Sequence, residues 1–332
     1  MKVAIITEGF QGTGYGHLTR CLSIYQAFEE KSITPLYIAN CDEEGKNFIP
    51  STNLLQLNWL ENVDEFLSKI KGYDIAVIDS YLAPLEIYEK IYRAVKKAVY
   101  IDDYLRLNYP PGVVVNGTVG AENLPYKKDD EHDYLLGIKY IPLRKEFWNV
   151  SKIQVKRDAK SVLITFGGVD MRNITPKVLK LINDNFPYLV KNVVIGKGFE
   201  NIDEIKSVAD KNTHCFYFPD GEQMKRLMLG SDFAITAAGQ TLNELATVGL
   251  PTIMVKIADN QINNIKYYKN NNLALFAGNH DDSDLFDNLK NEINMVLRYS
   301  LRKKLSQNSK IFNGLEATNI TDVLVKKKYN NF

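Results

Sequence analysis

The sequence predicts an α/β protein of two doubly wound, Rossmann-like domains facing a cleft, and three observations carry that expectation. Short continuous apolar runs such as Val3–Ile6 alternate with amphipathic stretches, the pattern of buried parallel strands joined by crossover helices. The alternation breaks off in a polar, Lys-rich stretch, Pro142–Ala159, and then resumes. At 332 residues the chain suits two ordinary domains better than one. They are expected at 1–145 and 158–332, with the last helices free to cross back to the first.

In the first half the continuous apolar runs place strands at Val3–Thr7, Pro35–Ala39, Asp74–Ile78, Ala98–Asp102 and Gly112–Asn116. The amphipathic stretches between them place helices at His17–Glu30, Val63–Lys71 and Pro84–Lys96. Pro142–Ala159, with its aromatic pair Phe147 and Trp148, is the expected connector. Beyond it, strands are expected at Ser161–Phe166, Asn192–Gly196, His214–Phe218, Asp232–Ala237, Pro251–Val255 and Leu273–Ala277. Helices intervene at Thr175–Asn185, Ile202–Ala209, Gly221–Leu229, Thr241–Val248 and Gln261–Asn270. From Asp284 the chain is mostly helical, ending in a solvated tail at Lys326–Tyr329.

Composition narrows the function classes. The chain is 45% hydrophobic and 24% charged, as globular proteins are. A net charge of +1 gives no general electrostatic case for nucleic acid or an anionic membrane, and leaves only a local basic patch open. No run approaches the ~20 apolar residues of a membrane span, and the short N-terminal apolar segment is no signal peptide. Cys21, Cys41 and Cys215 are odd in number and lack metal-ligand spacing, which suits reduced thiols in the cytoplasm. No metal and no cofactor is expected, and oligomeric state is left open.

The richest stretch is Gly12-Thr13-Gly14-Tyr15-Gly16-His17, between the first strand and the first helix. Alternate glycines allow a tight turn and close approach of a ligand to the main chain. The helix N-terminus favours an anion and disfavours a protonated imidazole, so His17 is poised as a neutral general base. Its bland alternative is a capping or packing histidine. The spacing is not Gly-x-Gly-x-x-Gly, and the second strand runs out at Ala39-Asn40-Cys41 before Asp42, which argues against a dinucleotide fold. Of the other histidines, His132 is expected on the surface, and His214 and His280 in structural roles.

The second half offers two glycine turns. Thr165-Phe166-Gly167-Gly168-Val169-Asp170 ends a strand, fit either for a phosphate or for a plain tight turn. Thr236-Ala237-Ala238-Gly239-Gln240-Thr241-Leu242-Asn243-Glu244 opens a helix with N–H groups and a hydroxyl suited to a diphosphate. Glu244 sits one turn in, placed for the two hydroxyls of a ribose or for the helix dipole alone. Asp259-Asn260-Gln261, with Asn263 and Asn264, offers amides that read sugar hydroxyls or cap a helix. Asp79, Asp102 and Asp103, at strand ends, either face the cleft or cap the next helix.

The order Gly-Gly-x-Asp, Ala-Gly-x-Thr-x-x-Glu, Gly-x-Pro and Asn-Gln resembles the C-terminal half of MurG-type glycosyltransferases of the GT-B fold, which bind UDP-sugars there. Gly14-Tyr15-Gly16-His17-x-x-Arg20-Cys21-Leu22 narrows the likeness. It is similar to the UDP-2,4-diacetamido-2,4,6-trideoxy-β-L-altropyranose hydrolase family of the pseudaminic acid pathway. Ile78-Asp79-Ser80-Tyr81, Ile101-Asp102-Asp103 and Tyr140-x-x-Leu143-Arg144-x-Glu146-Phe147 extend it over most of the chain. The resemblance implies release of UDP from a nucleotide-activated sugar by water, with His17, Tyr81 and Asn260 catalytic. It implies nucleotide contacts from Gly167, Gly168, Gln240, Thr241, Glu244 and the turn before Met224. Gly14, Gly16, Glu8, Asp79, Asp103 and Gln261 are the expected substrate contacts. The chain departs from the family at Ile5-Ile6-Thr7-Glu8, which lacks the usual arginine of Phe-Arg-x-Asp, and in extra residues around Tyr126–Asp133 and after Asn272. Three functions remain open: a nucleotide-sugar hydrolase, a GT-B glycosyltransferase with a UDP-sugar donor, and a nucleotide-binding protein without turnover.

Overall fold

The protein is described by a computed structural model covering residues 1–11, 14–50, 52–127 and 129–326. It divides into two compact units, Met1–Lys145 with the chain from Leu315 onward, and Glu146–Gly314.

The first unit contains β1 (Val3–Gly9), α1 (Gly16–Glu29), β2 (Leu36–Cys41), β3 (Leu54–Gln56), α2 (Val63–Ile70), β4 (Ile75–Asp79), α3 (Leu85–Ala94), β5 (Ala98–Ile101), β6 (Gly112–Asn116) and β7 (His132–Leu136). Its seven strands are parallel, in the order β3-β2-β1-β4-β5-β6-β7. Side chains alternate across the sheet, so Val3 and Ile5 join one core while Ala4 and Ile6 join the other. Both faces are covered, which is why β1 reads as an unbroken apolar run.

The second unit holds β8 (Ser161–Thr165), α4 (Thr175–Asn185), β9 (Val190–Ile195), α5 (Ile202–Val208), β10 (Thr213–Tyr217), α6 (Gly221–Gly230), β11 (Phe233–Ala237), α7 (Thr241–Val248), β12 (Thr252–Lys256), α8 (Ile262–Asn270), β13 (Leu275–Asn279), α9 (Leu285–Val296) and α10 (Tyr299–Asn308). Its parallel order is β10-β9-β8-β11-β12-β13. The last helix, α11 (Glu316–Lys326), belongs to the first unit, where Ile320 and Leu324 share a core with Ile24 and Phe28 of α1. In each sheet the strand order reverses beside the first strand, between β1 and β4 and between β8 and β11. Ligands of open α/β sheets bind at the carboxyl ends of strands at such switch points.

Three expectations need correction. β3 and β7 had no signature because both are edge strands: Leu54 and Gln56 are exposed, and Leu135 alone of β7 is buried. The extra residues around Tyr126–Asp133 therefore lead into a sheet strand, with Lys128 outside the described residues. His132 is not on the surface: its ring contacts Asp129 (2.7 Å) and the carbonyls of Tyr109 and Pro110 (3.1 Å each). The connector is not a free linker beyond Glu146. Phe147 is fully buried in a core of the second unit, and Lys152 Nζ donates to the carbonyls of Ala246, Thr247 and Ser309. Of the expected solvated tail, only Lys326 is described; it ends α11.

Candidate active site

In the first unit the site grows from the β1–α1 turn. Gly14 has φ +85°, a conformation glycine takes without strain, and its N–H donates to Phe10 O at 2.8 Å. Among the described residues, a Cβ on Gly14 or Gly16 would meet nothing within 4 Å. Gly12 and Thr13 lie outside the described residues. The turn is moored by Asp42, which accepts from Gln11 N (2.8 Å) and the Tyr15 hydroxyl (3.2 Å). The first internal bond of α1 runs from Thr19 N to Tyr15 O. Among the described residues, the N–H groups of Gly16, His17 and Leu18 have no partner, leaving the positive end of a 14-residue helix open.

His17 is held by Asp79, the last residue of β4 and the register partner of Thr7. Asp79 Oδ1 accepts from His17 Nδ1 at 2.7 Å and from Arg20 Nη2 at 2.6 Å, while Oδ2 accepts from Arg20 Nε at 2.5 Å. The carboxyl is fully buried. Burial alone would raise its pKa, yet the charges of Arg20 and His17 hold it well below the usual carboxylate range. An ionised carboxylate only accepts, so Nδ1 carries a proton, and among the described residues Nε2 has no partner. Arg20 Nη2, 3.2 Å from the same Nδ1, is therefore a charge neighbour and not a hydrogen-bond donor to it.

Arg20 also reaches Asp103, just past β5, with Nη1 at 2.8 and 2.9 Å from its two oxygens. Asp103 accepts from the Tyr81 hydroxyl, and the Tyr81 ring stands edge-on to the imidazole with centroids 4.4 Å apart. Burial, and next the Asp103 charge, push the phenol far above its ordinary pKa, so at neutral pH it is a neutral donor. Glu8, at the carboxyl end of β1, accepts from Tyr81 N (2.9 Å) and Leu82 N (3.3 Å) and is itself raised by burial.

Two expected substrate contacts, Asp79 and Glu8, lie inside the first unit. They are 0% and 2% exposed: Asp79 holds His17 and Arg20, while Glu8 Oε1 holds the Tyr81 and Leu82 N–H groups and its Oε2 has no partner among the described residues. Asp103 keeps partial exposure, and Tyr81 is 43% exposed. Asp102 caps no helix, since none lies between β5 and β6; its carboxylate ties down the loop after β5, accepting from the N–H groups of Asp103, Tyr104, Leu105 and Arg106. Arg20 was not among the expected site residues. Its signal was present, since it follows His17 by three positions and shares its helix face.

In the second unit the expected nucleotide elements gather at the β8–β11 switch point. Gly167 has φ +81°, and a Cβ on Gly167 or Gly168 would meet nothing within 4 Å. Asp170 in the same motif is a cap, its buried carboxylate accepting from Ile174 N and Thr175 N at 3.0 Å each. The N–H groups of Gly239, Gln240 and Thr241 at the start of α7 have no partner among the described residues. Exposed Gln240 accepts from Asn243 Nδ2 at 3.1 Å, and Glu244 lies in the first turn of α7. Asn260 is exposed on a turn before α8. A polar cavity of about 360 Å³ nearby is lined by Arg172, Lys256, Asp259 and His280 among others, so His280 faces a cavity.

Gln261 and Met224 are both buried. Gln261 is 8% exposed and accepts from Ile257 N at 2.9 Å, which ties down its own loop. The Met224 side chain packs into a core with Phe147, Leu163 and Met228. The turn before it is closed by the reciprocal Asp220–Gln223 capping box. Among the described residues no group of three His, Cys, Asp or Glu has the arrangement to hold a metal ion, and no helix is long and apolar enough to cross a membrane.

Residues 162–324 match the model of the Glycosyltransferase family 28 C-terminal domain. The chain is 30% identical over 270 residues to the uncharacterized protein MJ1062 of Methanocaldococcus jannaschii, covering 77% of this chain and 55% of that protein. It is 27% identical over 271 residues to a Helicobacter pylori homologue named pseudaminic acid cytidylyltransferase and UDP-2,4-diacetamido-2,4,6-trideoxy-beta-L-altropyranose hydrolase, covering 79% of this chain and 46% of that one. This chain thus spans about half the length of these two relatives. The crystal structure of Acinetobacter baumannii MurG superposes with a TM-score of 0.68 at 12% identity, covering 98% of this chain and all of that one. The fold is GT-B.

Proposed function

We propose that the protein is a nucleotide-sugar hydrolase that releases UDP from a UDP-activated amino or deoxy sugar by attack of water. The observation that carries this reading is His17, with its Nδ1 proton held by buried Asp79, its Nε2 free, and unpartnered backbone N–H groups beside it. Nε2 takes the proton of the attacking water, and Asp79 keeps the ring in the required tautomer and stabilises the imidazolium that forms. Tyr81, a neutral phenol against the ring, donates at the reacting sugar. The nucleotide is taken by the second unit. Gly167, Gly168 and the open N–H groups at the start of α7 receive the diphosphate, and Glu244 takes the ribose hydroxyls. The backbone donors stabilise charge on the departing phosphate oxygen. Asn260 contacts the sugar. The name of the Helicobacter relative supports hydrolysis.

The family 28 domain and the MurG likeness favour a second reading, transfer to an acceptor hydroxyl with the same base. Incubation with UDP-sugars and no acceptor separates the two. Steady release of UDP with free sugar is the expected result. UDP that appears only when an acceptor is added makes the enzyme a transferase. UDP binding without turnover on a broad donor panel leaves a binding protein.

A further inference from the structure

We infer that Arg20 is a positioning residue, which holds Asp79 and Asp103 as one balanced cluster and so sets both the charge that His17 faces and the posture of Tyr81. The inference rests on His17 being the base of the proposed reaction. Three elements of the first unit converge on this guanidinium. Its Nε and Nη2 grip both oxygens of Asp79 from β4, and its Nη1 grips both oxygens of Asp103 beyond β5. The planar fork matches two carboxylates at once, which a lysine cannot do. Asp79 then orients the imidazole, and Asp103 pins the Tyr81 hydroxyl, so one side chain fixes the relative placement of ring and phenol.

The charge count gives the second role. Arg20 and Asp79 flank His17 on α1 and β4, with Tyr81 on the loop after β4, Asp103 on the loop after β5, and Glu8 on β1. Cys21, the next residue on α1, contributes a thiol against Asp79 at 3.7 Å. Burial raises the Glu8 carboxyl and the Cys21 thiol from their ordinary values. Beside the ring the Arg20 guanidinium is set against the carboxylates of Asp79 and Asp103. Removing Arg20 leaves two carboxylates uncompensated and favours the imidazolium. Removing the Asp103 charge alone does the opposite.

The test is an NMR titration of labelled histidine rings in the whole chain without substrate, the His17 signal being the one absent in His17→Ala. In Arg20→Gln the pH at which the ring becomes doubly protonated moves up, by roughly one to three pH units for loss of a charge at this distance. The acid limb of UDP release moves with it. Arg20 is only 13% exposed and its loss threatens folding, so Asp103→Asn is the second variant: the titration moves to lower pH, and kcat falls more than KM rises as the Tyr81 hydroxyl exchanges a charged acceptor for a neutral one. A midpoint that stays put or moves the opposite way in either folded variant overturns the inference. The titration needs no turnover, so a missing hydrolase activity would sink the proposed function and leave this test standing.

Discussion

Replacing Asp79 by Asn probes the first unit's site most directly, because it removes one charge from a buried group and keeps its shape. Asp79 is 0% exposed and accepts from His17 once and from Arg20 twice. Breaking a buried ion pair by neutralising one partner costs about 3–5 kcal/mol, since the other charge is left inside without its counter-ion. Arg20 retains Asp103, which places the expected loss at the lower end, about 3 kcal/mol. For a unit of this size that lowers Tm by roughly 6–12 °C. The amide also presents both a donor and an acceptor to Nδ1, so the ring is no longer held in one tautomer, and UDP release falls by about 10²–10⁴. Thermal unfolding and a continuous assay of UDP release measure the two effects on the same sample. The wild-type stability contribution has a defined pH window. The folded carboxyl lies below its unfolded value, so the stabilisation is complete above the unfolded range near ~4 and vanishes as pH falls through the folded value. A variant as stable and as active as the parent would refute the reasoning.

Further substitutions separate chemistry from binding and from packing. His17→Ala is expected to lower UDP release by about 10²–10⁴ with UDP affinity nearly unchanged, read by calorimetry beside kinetics. Weak UDP binding with normal turnover would remove His17 from the role of base. Glu244→Ala is expected to impair UDP binding more than the chemical step, and unchanged affinity would remove the ribose assignment. Asp170→Ala deletes the cap on Ile174 N and Thr175 N and is expected to cost about 1–2 kcal/mol, measured by urea unfolding. A thermal-shift screen of nucleoside diphosphates is expected to show a UDP-selective rise, and an equal response to every base would count against uracil recognition.

The buried strands were legible because a strand covered on both faces is apolar over most of its length, as β1, β4, β8 and β11 show. β3 and β7 were not legible, since an edge strand half covered by the fold carries no such run. The glycine turns and His17 stood out for local reasons: φ near +80° at Gly14 and Gly167 admits glycine and few others. Which way Gln261 and Met224 turn was not legible, because motif position says nothing about side-chain direction.

From the sequence alone came the two α/β units, the turns that open α1 and α7, and a histidine at the first of them. These depend on periodicity and backbone conformation, which neighbours in the chain dictate. Tertiary structure alone brought Asp79 and Asp103, 59 and 83 residues beyond Arg20, onto one guanidinium. It also turned Glu8 inward to hold the Tyr81 turn. Such pairings follow from the order of strands in the sheet, which sets carboxyl ends side by side whatever their distance along the chain.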